Sequence, residues 1–513
     1  MIIIYHNQSK VTNVVSTEAR DFPTLINRNV VAVMLDLADK FEQEILVWCH
    51  ESLKDNLNVN SIENLFHHQK LLFSFNPSST NYFGRELGYI EDSPFIKINK
   101  EVRYATWQTS SQVGAVHATV LKACKSELKV ENDFDYFLHS LAKRAIVHGL
   151  LCYSEPKLLQ GKTSETPLKT ASLSTLFKFT KQHYRMRWIF LLFFNLMLFE
   201  KRFPLLPLVF SLFYKKRILN PIRLNQIPLA STKTIVEKGT IDVLIPTIGR
   251  KQYLLDVLNN LAAQTHLPTN VVIIEQNPMA DSVSELDFIQ NTTWPFAIKH
   301  RFTHQAGACN ARNLGLELIT SEFCFMADDD IVFGNDLLEK AIDTFRSTGN
   351  EVFLVACHLK TQTIERQAPK QFTVFGAGHA FVKSACLKGL RFNMGYEFGF
   401  GEDNDFGMQL RQRGFDILYI STTHILHLKA PMGGFRTKPT LRWQHEAIQP
   451  KPSPTVMLFR LLYDTPEQLL SYKTTIFLKN LNKSFLKNPF GYIKLFRKKW
   501  DTSVFWATKL KHE

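Results

Sequence analysis

The sequence predicts an α/β fold built on buried parallel strands, and three stretches carry that prediction. IDVLIP (Ile241 to Pro246), LLDVLNNLAAQ (Leu254 to Gln264) and NVVIIEQN (Asn270 to Asn277) read as strand, amphipathic helix and strand, a βαβ unit of the usual length. FCFM (Phe323 to Met326) is a short apolar run, as a strand covered on both faces should be, and it ends abruptly in Asp328, Asp329 and Asp330. Near the start, MIII and ILVW (Ile45 to Trp48) flank NVVAVMLDLADKF (Asn29 to Phe41), whose apolar positions have helical spacing.

A chain of 513 residues is too long for one ordinary domain, so two or three are expected. With 45% hydrophobic and 21% charged residues the composition is globular. The net charge of +14 suits nucleic acid, an anionic membrane surface or a phosphate-bearing substrate, and the motifs below favour the last two, with no nucleic-acid partner expected. Seven scattered cysteines, odd in number and without a CxxC pair, argue for a reducing compartment and against a disulfide framework or structural zinc. The opening MIIIYHNQSK has too short an apolar run for a signal peptide, so a cytoplasmic setting is expected.

Residues 1–160 read as an N-terminal α/β domain. Its acids, Glu91-Asp92 and Asp133/Asp135, sit where acids cap or solvate turns and helix starts, or form a site. Residues 161–235 change character. GKTSETPLKT is loop-like, and the segment 185–217 is apolar, Phe-rich and basic at both ends. Its apolar run, Trp188 to Phe199, is shorter than the roughly 20 residues that span a bilayer, which suggests an interfacial segment or shallow hairpin; a buried helical core is the other reading. Residues 236–432 hold the candidate chemistry. Residues 433–513 are basic and aromatic, and KTTIFLKNLNKSFLKNPFGYIKLFRKKW predicts a basic amphipathic helix for an anionic lipid surface.

The acidic strand end is the centre of the functional reading. Ligands of open α/β sheets gather at the carboxyl ends of strands. Three adjacent carboxylates repel one another unless a cation sits among them, and hard divalent cations prefer carboxylate and phosphate oxygens together. A solvated acidic turn is the plain alternative. Further on, GYEFGFGEDNDFGMQLRQRG (Gly395 to Gly414) passes from an aromatic, glycine-rich loop into a helix beginning near Glu402-Asp403. Capping explains one acid there, but less well the crowding of Glu402, Asp403 and Asp405. DILYIS (Asp416 to Ser421) then reads as a strand, with His427, a Gly433-Gly434 pair and Arg436 beyond it. The GxG at Gly376 to Gly378 lacks the setting of a dinucleotide fingerprint.

IPTIGR, IIEQN, GACNARNLGL, FMADDD and GFGEDNDFGMQLRQRG, in this order and spacing, resemble glycosyltransferase family 2 with the GT-A fold, over roughly residues 240–430. The resemblance implies inverting transfer of a sugar from a nucleotide-diphospho-sugar donor, helped by Mn²⁺ or Mg²⁺. By the same resemblance Asp328 and Asp330 are the ends of the DxD, the first toward the ribose and the last on the metal, with Asp329 between them. Pro246, Thr247 and Arg250 match the loop around the nucleotide, and Glu275 the acid on the base or ribose. Arg312 and Asn313 match the ARN of the donor-site helix, Asp403 the base of the ED motif with Glu402 beside it, and His427 the histidine completing the metal site, with His424 a weaker candidate. One base and no nucleophile is inverting logic. DFDYFLHSLAKR from Asp133 echoes DNDFGMQLRQRG from Asp403, as a second, degenerate GT-A-like domain or two chance-similar helices would.

The reading is therefore a GT-A domain preceded by a second α/β domain, with a membrane-associating linker and C-terminal helices. It is a metal-dependent inverting glycosyltransferase, peripheral at the inner face of the cell membrane. It would serve surface polysaccharide or glycolipid synthesis on a carbohydrate or lipid-linked saccharide acceptor. The alternatives are a nucleotidyltransferase acting on sugar phosphates, for which TIGRKQ is a poor opening loop, and a non-catalytic carbohydrate-binding or scaffold protein on a GT-A frame.

Overall fold

The structure, a computed structural model, describes all residues except 19, 21, 98, 162–168, 432–439, 482 and 512–513. Most of the loop expected in GKTSETPLKT, and the expected Gly433-Gly434 pair and Arg436, lie outside the described residues. The chain divides into two compact units, one of 1–232 with 464–476 and one of 233–463 with 477–513.

In the first unit the strands are β1 (Ile2–Asn7), β2 (Lys10–Ser16), β3 (Ile45–His50), β4 (Leu71–Phe75), β5 (Tyr104–Ala105), β6 (Val113–His117) and β7 (Leu151–Ser154). They form one sheet in the order β2-β1-β3-β6-β4-β7-β5, with β1 parallel to β3 and β4 parallel to β7. The inner strands are buried on both faces, as their Val, Ile and Leu runs require, while the edge strand β2 alternates between buried and exposed residues. Asn29 caps the predicted helix, which spans Val30–Lys40, by accepting from the Ala32 N–H. Asp133 does the same for the helix Phe134–Ala145 through the Tyr136 N–H at 3.0 Å. Glu91 is buried in this unit and paired with Lys143, with Trp107 Nε1 and the Tyr184 hydroxyl donating at 3.0 and 2.8 Å.

In the second unit the strands are β8 (Ile241–Thr247), β9 (Asn270–Gln276), β10 (Ala297–Thr303), β11 (Phe323–Ala327), β12 (Ile331–Phe333), β13 (Val352–His358), β14 (Lys370–Gln371), β15 (His379–Lys383) and β16 (Leu418–His427). Their order is β10-β9-β8-β11-β15-β13-β16-β12, with β14 pairing β16 at the side. The strands β10, β9, β8 and β11 run parallel, so Thr247, Glu275 and the residues after Ala327 come out at one edge of the sheet. Stacked phenylalanines fill the core beneath: Phe323 on Phe345 at 4.0 Å, and Phe325 on Phe381 at 4.3 Å between ring centroids.

The apolar segment of the first unit folds as two short helices, Arg187–Glu200 and Leu205–Ser211, with Lys201 in the left-handed region and Pro204 in the break. No helix among the described residues is long and apolar enough to cross a membrane. The continuous C-terminal helix expected from Lys473 onward is instead three: Pro466–Lys479, Lys483–Lys487 and Pro489–Leu510. Asn480 and the Asn488-Pro489 pair supply the breaks, since Asn favours turns and Pro starts rather than continues a helix. Phe477, Phe485, Tyr492 and Phe496 then turn toward one another as an aromatic cluster, with 5.2 Å between Phe477 and Phe496.

Candidate functional site

The carboxyl ends of β8, β9 and β11 and the start of the helix Glu402–Gln412 gather most of the sequence-predicted residues. Asp328, Asp330 and His427 can each offer one ligand atom, all within 4.8 Å of one another. Asp330 immediately precedes β12 and His427 ends β16; the antiparallel pairing of Ile331 with His427 holds the two side by side. Asp330 is buried, its Oδ2 accepts from the Ala430 N–H at 2.8 Å, and its Oδ1 has no hydrogen-bond donor aligned on it although His427 Nε2 is 3.2 Å away. Burial pushes the Asp330 carboxyl up, but the His427 ring, the Ala430 N–H and Arg250 outweigh it and hold it below the usual carboxylate range. His427 is held above its ordinary value chiefly by the Asp330 carboxylate. Two carboxylates and an imidazole with an orphaned oxygen between them fit a divalent cation of the Mn²⁺ or Mg²⁺ kind.

Asp329 points the other way. It is buried and accepts from Thr247 Oγ1 at 2.7 Å and Arg250 Nη1 at 2.6 Å. Burial lifts it to about 6 in spite of these partners. Arg250 Nη1 is also 3.5 Å from Asp330, so the nucleotide-loop match and the acidic triplet are one ion-paired cluster. Pro246, half-buried, precedes Thr247 at the end of β8. Glu275, opposite Thr247 in register, accepts from His300 Nε2 at 2.9 Å and the Glu285 N–H at 2.9 Å. Burial raises it, and the donors His300, Ser284 and the Glu285 N–H more than compensate.

Arg312 joins the two halves of the site. It lies on the helix Ala308–Leu316, is buried against the Phe392 ring, and reaches Asp328 Oδ1 at 3.5 Å and Asp403 Oδ1 at 3.8 Å. Asp403 is the second residue of the helix Glu402–Gln412. Burial raises its carboxyl above the ordinary value, with Arg312 and the Ala377 N–H pulling the other way, and its Oδ1 has no hydrogen-bond partner. Glu402, half-buried, accepts from the Gly401 N–H at 3.0 Å, and burial and Asp403 raise it too.

Other candidates are placed elsewhere. Asn313 spends its amide on Phe392, donating to its carbonyl at 2.8 Å and accepting from its N–H at 2.7 Å. Asp405 accepts from the Tyr463 hydroxyl at 2.8 Å and Gln409 Nε2 at 2.7 Å, a structural network. His424 faces His358, at 5.5 Å between rings, and stands outside the cation-holding trio.

Sequence reasoning passed over two neighbours. His379, at the start of β15, is electrostatically coupled to Asp328, Asp403 and His427, its Nδ1 held by the Val355 carbonyl at 2.7 Å. A Cβ on Gly378 would stand 2.2 Å from Asp328 Oδ2, so the GxG serves this site by absence of side chain. The signal was available: a glycine pair before the strand that returns alongside the DxD strand.

Residues 242–404 match the family model described as Glycosyl transferase family 2. Among solved structures the chain is similar to S. aureus TarS residues 1-349, at 17% identity and a TM-score of 0.32, over 37% of this chain and 60% of that one. The same TarS fragment in complex with UDP-GlcNAc aligns at 17% identity and a TM-score of 0.34, over 48% of this chain and 72% of that one. S. aureus TarS in a longer form aligns at 17% identity and a TM-score of 0.33, over 48% of this chain and 43% of that one. The chain thus spans about 60% of the length of the first of these structures. No curated protein matches it. Within a mixed α/β fold, the stretch 242–404, running from β8 to the start of the Asp403 helix, is a GT-A-like domain of glycosyl transferase family 2.

Proposed function

We propose that this domain transfers a sugar, with inversion, from a nucleotide-diphospho-sugar to an acceptor hydroxyl. The observation that carries the reading is Arg312, whose guanidinium reaches both the cation-holding Asp328 and the base candidate Asp403. Asp328, Asp330 and His427 are the residues that would hold Mn²⁺ or Mg²⁺. A bound divalent ion would neutralise charge on the departing diphosphate. Asp403 takes the proton of the acceptor hydroxyl as that oxygen bonds to the anomeric carbon and the bond from that carbon to the diphosphate oxygen breaks. Its elevated pKa makes it a better proton acceptor than an exposed aspartate. Arg312 positions Asp403 and Asp328 and lends both a positive neighbour. Thr247, Arg250 and Asp329 stiffen the nucleotide side, and Glu275 presents a fixed carboxylate to base or ribose.

The acceptor in this reading is a carbohydrate or lipid-linked saccharide. The product belongs to surface polysaccharide or glycolipid synthesis, and the setting is the cytoplasmic face of the cell membrane. The test is calorimetric titration with a panel of nucleotide-sugars, UDP-GlcNAc included, with Mn²⁺ and again with a chelator. Binding of one of them only with metal, followed by release of the nucleoside diphosphate on adding saccharide acceptor, supports the reading. Binding of a nucleoside triphosphate with a sugar phosphate instead would replace it by nucleotidyl transfer.

A further inference from the structure

The two helices Arg187–Glu200 and Leu205–Ser211 of the first unit carry two kinds of apolar surface. Ile189, Leu192, Phe193 and Leu196 face the unit's own core and are buried. Phe190, Phe194 and Leu198 recur every four residues on the first helix and are exposed. On the second helix Leu206, Val209, Phe210 and then Phe213 repeat the pattern, with Phe213 79% exposed. Of the 32 exposed large hydrophobic residues among the described ones, 15 fall between Met186 and Ile222. Scattered exposed apolar residues need no explanation, but a run of this density does.

The charge around the run is one-sided. Arg185, Arg187, Lys201, Lys215 and Lys216 rim it and are exposed, while Arg202 beside them is paired with Glu86 at 2.9 Å. The one acid between 185 and 223 is Glu200, which is taken by Arg85 at 2.6 Å and the Tyr89 hydroxyl at 3.0 Å. Phenylalanine and leucine ringed by lysine and arginine, on helices too short to span, is the chemistry of a surface that lies in an anionic lipid interface.

We propose that this helical pair is a monotopic docking surface for a bilayer bearing anionic headgroups, the apolar stripes entering the acyl boundary and the basic rim meeting the phosphates. The proposal does not rest on the transfer reaction, because binding is read without donor or acceptor. The full chain is floated with vesicles of phosphatidylcholine alone and of phosphatidylcholine with phosphatidylglycerol. The expected result is flotation with the anionic vesicles and little with the neutral ones. Phe210→Asp with Phe213→Asp should lower the bound fraction at least tenfold, since each substitution removes an apolar side chain from burial on docking. Lys215→Glu with Lys216→Glu should erase the anionic preference. All these residues are exposed, so melting temperatures should match the parent chain. A parent chain that stays with neither vesicle, or an F210D/F213D chain that floats as well as the parent, overturns the proposal. So does a parent chain that is dimeric and vesicle-free while F210D/F213D is monomeric, which would assign the stripe to a second copy.

A different observation carries a second inference. In chain order and in pairing direction, β1, β3, β4, β6 and β7 repeat β8, β11, β13, β15 and β16: parallel, antiparallel, antiparallel, parallel across the sheet. The helix before the last strand repeats too. Asp135 is the second residue of Phe134–Ala145 as Asp403 is of Glu402–Gln412, and a left-handed glycine, Gly149 or Gly414, follows each helix. Asp135 accepts from the N–H of Ser111, two residues before β6 at 2.9 Å; Asp403 faces the N–H of Ala377, two residues before β15. Register carries the match further. Cys49 pairs Val113 as Ala327 pairs His379, so His50, Glu51 and Ser52 stand where the second unit has Asp328, Asp329 and Asp330. Gln112 stands where Gly378 makes room for Asp328.

We infer that the first unit is a second GT-A-like domain that keeps the base position and has lost the cation and donor positions, leaving one transfer centre per chain. Titration of the full chain should give one Mn²⁺-dependent nucleotide site. Asp403→Asn should lower transfer by about 10²–10⁴, and Asp135→Asn, whose amide still accepts from Ser111, should keep it at the parent level. Two nucleotide sites per chain, or activity in D403N that the added D135N removes, would overturn the inference.

Discussion

In the proposed reaction Asp403 is the residue on which proton transfer turns. Asp403→Asn keeps shape and polarity but cannot accept a proton, so transfer should fall by about 10²–10⁴ with donor affinity little changed, measured as kcat and KM with saturating acceptor. Because burial raises its pKa, the acid limb of kcat/KM should climb through a value above that of an ordinary aspartate. Asp330→Asn tests the other half of the site. It removes a buried charge beside His427, so the Mn²⁺ needed for half-maximal activity should rise about 10-fold or more, a shift readable as metal affinity in calorimetry. What the residues disclosed in advance follows from chemistry. Acids ending an apolar strand announce themselves, and so does a histidine after the last strand. Asn313 shows the opposite case: its neighbour Arg312 lines the site while its own amide braces Phe392, and the motif ARN does not say which of the two faces inward.

Single elements obey the periods that predict them where one face is buried. The unit β8, helix Lys251–Ala262 and β9 is where the strand, amphipathic helix and strand reading put it, and the edge holding Thr247 and Glu275 follows from parallel register alone. The C-terminal helices were harder, because a basic and aromatic pattern persists through Asn480 and Pro489 while the backbone breaks there. Nor was the repeat between the units legible at the right offset. The sequence echo sets Asp133 against Asp403, whereas register sets Asp135 there, and Asp133 is the helix cap. Helix position fixes geometry, and no side-chain pattern marks the cap from the second residue when both are acids. At this scale Phe325→Ala should cost about 3–5 kcal/mol, since its ring lies flat on Phe381 in a core with no room to collapse, and the melting transition of the second unit reports it.

For the whole molecule the buried histidines set the response to acid. Burial lowers His6 and His139 to about 4 and His68 to about 3, all in the first unit. Each folded-state pKa lies below the unfolded value of 6.5. The unfolded chain therefore takes up protons first as pH falls, and stability present above pH 6.5 is lost on the way down to 4. Asp135, held up to about 6 by burial, works in the opposite direction over part of the same range and offsets one of the three. The expected net effect is a loss of stability between pH 7 and pH 4.5, seen as a falling denaturation midpoint of the first unit.

Gly378 has a consequence for how the proposed transfer centre could be silenced. A single methyl group placed there would stand where an aspartate oxygen now rests. Gly378→Ala would thus act as a plug seated from behind, pushing Asp328 out of alignment while every polar group of the pocket is still present in the chain.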